Sequence, residues 1–166
     1  MSRTLSAAQM TDTEDKWREQ EAGLDCYLCP ARLSAHTGMM LIAALSTSRS
    51  YLAVDQRFRG QCSLILTNHV TQLEELPEEA YTAYMRDLRN SLGAIREAVH
   101  PDHMNIALLG NSCPHLHWSI VPRYRSDPRW GRPIWDDSTL QEMRNSPVTL
   151  SKEGYSQIIA NIRKRL

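Results

Sequence analysis

The stretch "GNSCPHLHWSIVPRY", residues 110–124, decides how the whole sequence is interpreted. From His115 onward, polar and apolar side chains alternate as they do on a β-strand that is buried on one side, and residues two apart on a strand share a face. The polar face of this strand carries His115, His117, Ser119 and, at its end, Val121. An edge strand facing water is one interpretation. Two histidines at this spacing favour a binding or catalytic site instead.

The rest of the chain predicts an α+β domain built on a largely antiparallel sheet of about five strands. Apolar runs that predict strands occupy residues 39–45, 50–56, 60–68, 103–110 and 115–124. A long helix is predicted at 76–101, where apolar residues recur every three or four positions, and a final helix at 151–166. Near the N-terminus, "TDTEDKWREQEAG" predicts a short helix capped by Thr11 or Thr13. An irregular turn is predicted to follow it at 24–33.

The composition of the 166 residues is that of an ordinary globular domain, with 19 Lys and Arg against 19 Asp and Glu. This balance predicts no general attraction to nucleic acid or to an anionic membrane. No apolar run reaches about 18 residues, so no transmembrane helix is predicted. The first residues lack the apolar core of a secretory signal, and a cytoplasmic location is expected. In that reducing compartment the four cysteines are expected as thiols or metal ligands rather than disulfides.

The segment from His115 to Arg123, "HLHWSIVPR", resembles the signature of the histidine-triad (HIT) superfamily, His-x-His-x-His followed by apolar residues. Upstream, "GNS" at 110–112 stands where that family has a phosphate-binding loop. "LAVDQRFRGQCSLILTNHV" is similar to its two central strands. The resemblance spans roughly residues 25–125 and implies a HIT-like fold. It divides the chain into an N-terminal tail or short helix at 1–22, a HIT-like domain at 23–125, and a loop and helix at 126–166 that belong to the same domain.

The resemblance implies nucleotidyl transfer with His117 as the nucleophile. A neutral imidazole, held in one tautomer by a backbone carbonyl, would attack the α-phosphorus and form a covalent nucleotidyl-histidine. Water or another acceptor would then take the nucleotide. Ser112 would stabilise the phosphoryl oxygens. The residues expected to contact a nucleotide conjugate, such as a dinucleoside polyphosphate or a nucleotide sugar, are Asp55, Asn105, Asn111 and Arg123. For Asp55, a turn residue after a strand is an equal alternative.

Ser119 departs from the pattern, because the hydrolase branches of the family have histidine at this third position. The galactose-1-phosphate uridylyltransferase branch has glutamine there, so covalent catalysis does not require the histidine. A serine hydroxyl donates one hydrogen bond but carries no charge. Three explanations stay open: a specialised or transferase-like enzyme, a weakened or lost activity, and a substitution introduced on purpose.

The pair Cys26-x-x-Cys29 has the spacing with which two thiolates bind one zinc ion. Two half-buried thiols or a redox pair are the alternatives. The uridylyltransferase branch, which the sequence resembles here, completes such a site with a histidine after the central strand and with the first histidine of the triad. These residues are His69 and His115. The resemblance therefore implies a closed Cys2His2 zinc site that is structural rather than catalytic.

The segment 123–135 concentrates arginines and tryptophans, "RYRSDPRWGRPIW". Arginine pairs with phosphates and stacks on bases, so this segment is a candidate for contacting the leaving half of a substrate. Packing of both tryptophans on the core is the equal alternative. The family resemblance also implies a homodimer. The rival prediction is a protein that binds nucleotides but no longer converts them. A thiol redox protein that uses Cys26 and Cys29 is a third interpretation.

Overall fold

The computed structural model describes residues 7–127, 129–135, 141 and 145–166, without the side chains of 7–13 and 34–36. The helices are α1 (Ala7–Glu21), α2 (Pro30–His36), α3 (Glu78–Val99) and α4 (Lys152–Arg163). The strands are β1 (Met40–Ala44), β2 (Ser48–Leu52), β3 (Cys62–Leu66), β4 (His103–Ala107) and β5 (His117–Arg123). The predicted α+β class is confirmed. None of the helices within these ranges is long and apolar enough to cross a membrane.

The five strands form one sheet in the order β1-β2-β3-β5-β4, and every neighbouring pair is antiparallel. β5 therefore lies between β3 and β4, so the strand with the histidines is an inner strand and not an edge. Its register places His117 opposite Ile65 and Ser119 opposite Ser63. On its other side, Ser119 lies opposite Ala107 of β4.

The two faces of the sheet have different coverings. One face packs against α3 and α4 and forms the main core, whose members include Leu52, Leu64, Tyr84, Ile120 and Ile158. Alternation along each strand sends the remaining side chains to the opposite face. There, two smaller apolar clusters pack under the N-terminal turn and under the loop after β5. The polar side chains of β5 lie on this second face, between the two clusters.

Asp87 of α3 attaches the β1–β2 turn to the helix. Its carboxylate accepts hydrogen bonds from the Thr47 backbone N–H at 3.0 Å and from the hydroxyls of Ser46, Thr47 and Ser48 at 2.7–3.1 Å. The residue is only 4% exposed. Burial disfavours the charged carboxylate, but these hydrogen bonds outweigh it and lower the pKa of Asp87 below its usual value.

Gly60, in the turn between β2 and β3, has a backbone φ of +85°. An added Cβ would lie 2.9 Å from a methyl carbon of Val99 at the end of α3. Glycine satisfies both the left-handed conformation and the close contact. This turn allows α3 to approach the sheet.

The three largest differences from the predicted boundaries are of about four residues each. The first helix begins at Ala7, so Thr11 and Thr13 lie inside α1 and are not its caps. The turn predicted at 24–33 is wrong at its end, because Pro30 starts α2, with proline in the first helical turn where no N–H is needed. The strand predicted at 50–56 is Ser48–Leu52. The predicted final helix is confirmed, with the Ser151 hydroxyl accepting from the Gly154 N–H at 3.1 Å as its N-cap.

Candidate functional site

His117 opens β5 and is held in one tautomer. Its Nδ1 lies 2.7 Å from the backbone carbonyl oxygen of His115. Nδ1 therefore carries the ring proton and donates a hydrogen bond to that oxygen. Nε2 is consequently the unprotonated nitrogen, with its lone pair available. Burial lowers the pKa of His117 below its ordinary value, against the opposing effect of the carbonyl hydrogen bond. The imidazole is therefore neutral at neutral pH, as a nucleophile must be.

A cavity of about 310 Å³ adjoins His117. Its polar side chains are Gln61, Asn111, Ser112, His117 and Ser119, and the backbone of Gly110 contributes as well. Its apolar side chains are Phe58, Leu109, Val121, Ile134 and Trp135. Among the lining side chains, His117 is the only titratable one within the described part of the chain. The others donate or accept hydrogen bonds while remaining neutral.

Ser119, which lines this cavity, has small residues opposite it on both neighbouring strands. These residues are Ser63 of β3 and Ala107 of β4. The structure thus brings four of the predicted residues to one cavity: His117, Ser119, Ser112 and Asn111.

The four predicted zinc ligands come together on the same side of the sheet. Their donor atoms all lie within 4.8 Å of one another. The Nδ1 atoms of His69 and His115 are 3.2 Å apart, and Cys26 Sγ is 3.3 Å from His115 Nδ1. Cys29 Sγ is 3.6 Å from His69 Nδ1 and 3.7 Å from His115 Nδ1. A tetrahedral zinc ion, with bonds of about 2.0–2.3 Å, holds its ligand atoms roughly 3.3–3.8 Å apart.

The tautomers of both histidines suit a metal ion. His115 Nε2 lies 2.8 Å from the Leu66 carbonyl oxygen, and His69 Nε2 lies 2.9 Å from the Glu21 carbonyl oxygen. Each Nε2 therefore carries the ring proton and donates a hydrogen bond to its carbonyl oxygen. The two Nδ1 atoms, which carry the lone pairs, face each other at 3.2 Å. Two lone pairs at that distance repel unless a cation lies between them. Backbone carbonyls that orient ligating histidines are the usual outer contacts of zinc sites.

Gly23 allows the N-terminal segment to approach His69. Its φ is +75°, and an added Cβ would lie 3.3 Å from the imidazole Cδ2. The same turn brings the Glu21 carbonyl to its hydrogen bond with His69 Nε2. The turn after α1, which contains Gly23, thus helps to support the metal ligands.

Cys113, for which no sequence motif predicts a specific role, lies beside the metal ligands. Its sulfur is 3.5 Å from Cys26 Sγ, and both residues are fully buried. The contact with Cys113 is the main reason that the pKa of Cys26 is lowered, which favours the thiolate form that a metal ion binds. Cys113 follows Ser112 directly, so one short loop contacts both the metal ligands and the cavity of His117.

Arg123, Asn105 and Asp55 do not line the cavity of His117. Arg123 is 3% exposed, and its guanidinium donates to Asp127 at 2.6 Å, to Asn105 Oδ1 at 2.7 Å and to two carbonyls of the following loop at 2.6 and 3.1 Å. Asp55 accepts from the N–H of Arg57 at 2.8 Å and from that of Val148 at 3.3 Å. As substrate contacts, these three residues stay predictions.

The segment rich in arginine and tryptophan borders a second cavity of about 640 Å³. Trp130 and Arg132 line it, together with His103 of β4, while Trp135 lines both this cavity and that of His117. Trp130 is 42% exposed. Ile134, by contrast, is buried beside Phe58. Trp130 is therefore not packed on the core, whereas Trp135 packs against the small cluster around Phe58. Contact of this segment with a substrate stays a prediction.

Sequence reasoning missed Gln61, Phe58 and Ile134 as cavity residues. Gln61 precedes β3, and its side-chain oxygen is buried without a hydrogen-bond partner among the described residues. No short motif marks it. The alternation of β3 does offer one signal. Gln61 lies two residues before Ser63, so the two side chains must face the same side of the sheet.

The comparisons with known proteins agree with this geometry. Residues 42–126 match the model of the HIT domain. One similar solved structure is a histidine triad (HIT) protein of Sinorhizobium meliloti 1021, which is 20% identical over 82% of this chain and 94% of that chain, with a TM-score of 0.69. Another is a histidine triad protein of Marinobacter aquaeolei VT8, which is 24% identical over 82% of this chain and 93% of that chain, with a TM-score of 0.68. A zinc-bound histidine triad family protein of Mycobacterium smegmatis is also similar, with 22% identity over 85% of this chain and 95% of that chain and a TM-score of 0.58.

At these identities the solved structures establish the fold, and no curated protein matches the chain. The family model covers more than half of the 166 residues. The chain therefore belongs to the HIT family.

Proposed function

We propose that this protein is a nucleotidyl hydrolase or transferase that acts at the α-phosphate of a nucleotide conjugate through a covalent intermediate on His117. The observation that carries the proposal is the 2.7 Å hydrogen bond from His117 Nδ1 to the His115 carbonyl. It leaves a neutral Nε2 lone pair beside a cavity lined by hydrogen-bonding side chains. HIT proteins in general act on nucleotides, and a dinucleoside polyphosphate or a nucleotide sugar fits the proposed chemistry.

In the first step, the Nε2 lone pair of His117 forms a bond to the α-phosphorus as the bond to the leaving group breaks. The N–H groups of the loop at 110–112 and the hydroxyls of Ser112 and Ser119 stabilise the negative charge on the phosphoryl oxygens. In the second step an acceptor attacks the phosphorus, the P–N bond breaks, and its electron pair returns to Nε2. His117 Nδ1 keeps its proton and its hydrogen bond to the His115 carbonyl oxygen throughout.

A structural zinc ion belongs to the same proposal, held by Cys26, Cys29, His69 and His115. The donor distances and the two facing Nδ1 lone pairs support it, as does the zinc-bound relative from Mycobacterium smegmatis. The ion would join the N-terminal turn to the start of β5 and take no part in the bond-making steps. Thiolate ligands require a reducing environment, which suits a cytoplasmic location.

We also propose a homodimer formed along the edge of β4. Arg163 donates to the carbonyls of Ile42 at 2.7 Å and Leu41 at 3.4 Å and so covers the opposite edge of the sheet, where β1 is already bulged. Ile106 of β4, in contrast, is apolar and 43% exposed. A second copy of the chain pairing with β4 would bury it.

The proposal is tested by steady-state consumption of diadenosine tetraphosphate, UDP-glucose and NAD, with products separated by chromatography. We expect at least one of these conjugates to be consumed, and His117→Ala to lower kcat/KM by about 10³-fold or more. The matched control is His100→Asn, an exposed histidine at the end of α3 whose left-handed backbone suits asparagine. Equal activity of wild type and His117→Ala would contradict the proposal.

The second candidate is a HIT protein that binds nucleotides without turnover, and the observation that favours it is Ser119. It predicts that the same conjugates bind, for instance by calorimetry, while none is consumed. It also predicts that His117→Ala changes affinity only modestly.

A further inference from the structure

Three of the four cysteines lie close together, and the sulfurs of two of them are in contact. Cys26 Sγ and Cys113 Sγ are 3.5 Å apart, although the two residues are 87 positions apart in the sequence. Both residues are fully buried. Cys29 Sγ lies within 4.8 Å of Cys26 Sγ, and Cys29 is partly exposed. Cys26 is therefore within reach of two other sulfurs, one buried and one that meets solvent.

The positions of Cys26 and Cys113 in the fold allow their sulfurs to approach further. A disulfide bond brings two sulfurs to about 2.05 Å. Neither residue belongs to a helix or a strand. Cys26 lies in the turn between α1 and α2, and Cys113 lies in the loop before β5. The approach can therefore come from two irregular segments while the sheet stays in place.

We propose that Cys26 and Cys113 form a disulfide bond when a peroxide oxidises the protein, and that this bond and zinc compete for the sulfur of Cys26. A sulfur in a disulfide is no longer the thiolate that binds zinc. The bond also attaches the turn after α1 to the loop before β5, and other residues of that loop line the cavity of His117. The competition rests on the zinc site of the proposed function, whereas the disulfide depends only on the cysteines.

Oxidation starts at Cys29, the one of the three residues that solvent reaches. Its thiolate attacks hydrogen peroxide, the O–O bond breaks, and a sulfenic acid and a hydroxide ion form. The Cys26 thiolate then attacks the oxidised sulfur and expels a second hydroxide ion. Cys113 attacks Cys26 Sγ across 3.5 Å and displaces Cys29, which takes the Cys113 proton. Two electrons have then passed from Cys26 and Cys113 to the peroxide, and Cys29 is a thiol again.

The bond between Cys26 and Cys113 is the stable end of this sequence of steps. A bond to Cys29 includes a partly exposed sulfur, which reducing thiols can attack. Both sulfurs of the bond to Cys113 are buried. This bond also joins residues 87 positions apart, and a longer closed loop restricts the unfolded chain more. In a reducing compartment such a disulfide is transient and forms in response to an oxidant.

Peptide mapping of the purified full-length protein tests the disulfide. The protein is treated with hydrogen peroxide, quenched with N-ethylmaleimide at several times, digested with trypsin and analysed by mass spectrometry. The Cys-x-x-Cys pair lies in the tryptic peptide 19–32 and Cys113 in the peptide 97–123. We expect the two peptides to become linked, after an earlier internal disulfide within 19–32, and to separate in dithiothreitol. Chymotryptic cleavage after Tyr27 assigns the linked sulfur to Cys26.

Two matched variants each replace one buried thiol by a hydroxyl group. Cys113→Ser should abolish the linkage and stop the reaction at the disulfide within 19–32. Cys62→Ser should behave as the wild type, because the Cys62 thiol lies in the main core and donates to the Gly60 carbonyl at 3.2 Å. A wild type that stops at the disulfide within 19–32, or that links Cys29 to the second peptide, would overturn the inference.

The competition with zinc is tested in the same assay. The zinc bound per chain is first measured by native mass spectrometry, and oxidation is then compared in excess zinc and in a chelator. Zinc at 100 times its Kd leaves about 1% of the protein free, so the linkage should form about 100-fold more slowly than in the chelator. Equal rates in a protein that binds one zinc ion would overturn the competition. A protein that binds no zinc would reject the proposed zinc site, while the peptide map still decides the disulfide.

Discussion

Ser119 lies in a row with Ser63 and Ala107 across three strands, so the middle of the sheet below the cavity is lined by small side chains. A larger residue at position 119 would extend into an open cavity and not into a packed core. We therefore expect Ser119→His to fold, with a change in the free energy of unfolding of about 1 kcal/mol or less. Thermal unfolding of the purified variant checks this. A loss of several kcal/mol would show that position 119 has no free space above it.

Cys113 is expected to support the zinc site from outside the ligand set. Its sulfur lies 3.5 Å from Cys26 Sγ, so its thiol would donate to Cys26 when Cys26 binds zinc as a thiolate. Loss of such an outer hydrogen bond typically costs 10–100-fold in metal affinity. Cys113→Ala should weaken zinc binding by about that factor, measured by competition with a chromophoric chelator. Cys113→Ser, which keeps a donor, should lose less. Cys62→Ala, which removes a buried thiol from the main core, should leave zinc affinity unchanged.

Asp87 makes stability depend on pH. Its pKa is lowered in the folded protein, so its contribution is fully present above the pKa of the unfolded state, about 3.9, and is lost as the pH falls through the lower, folded pKa. Asp87→Asn should reduce the free energy of unfolding by about 1–3 kcal/mol at pH 7. The difference from wild type should shrink below about pH 4. Denaturant titrations at both pH values measure it, and a difference that does not change with pH would contradict this assignment.

At the scale of elements, zinc is expected to hold the segment from Cys26 to α2 against the sheet. Leu28 and Leu33 of this segment pack with Tyr51 and Ile65, a small cluster that the metal ligands border. A chelator should lower the melting temperature of the wild type, because a ligand present at 1,000 times its Kd stabilises by about 4 kcal/mol. His69→Ala should melt at a lower temperature that the chelator no longer changes. Equal responses of the two proteins would argue against the site.

Periodicity predicted α3 and α4 because their apolar residues recur every three or four positions along the sequence. β5 was predicted from its alternating polar and apolar residues, although the structure buries its last four residues on both faces because it is an inner strand. The missed elements lack such a pattern. α2 is a single short helix whose start depends on Pro30, and Ala7 begins a helix whose sequence is polar on all sides. The end of β2 at Leu52 depends on tertiary contacts, because Val54 and Asp55 after it form hydrogen bonds with the C-terminal segment.

The whole molecule brings together residues that no local pattern connects. Cys26, Cys29, His69 and His115 were predicted as a group only because the sequence resembles a known ligand pattern. Cys113 and Gln61 carry no comparable signal, and their roles depend on how the loop before β5 and the start of β3 meet across the sheet. Ser119 is visible in the sequence as a departure from the family pattern. The side chains that share its cavity can be named only from the structure.

The proposed dimer makes a prediction at this scale. Ile106→Lys places a charge on the exposed side of β4 and should shift the protein to a monomer in sedimentation velocity experiments. The matched control is Leu41→Lys on β1, an edge that Arg163 already covers. Leu41 is 47% exposed, close to the 43% of Ile106, so the two substitutions alter similar surfaces. A monomeric wild type, or equal effects of the two variants, would reject the β4 interface.

Attachment of the nucleotide to His117 is the central step of the proposed mechanism. The direct measurement is to mix the protein with diadenosine tetraphosphate or UDP-glucose, quench at alkaline pH to preserve the P–N bond, and locate the added mass by peptide mass spectrometry. We expect one nucleoside monophosphate group on His117, absent from His117→Ala and retained in His100→Asn. Turnover without any such adduct, or an adduct on another residue, would contradict it.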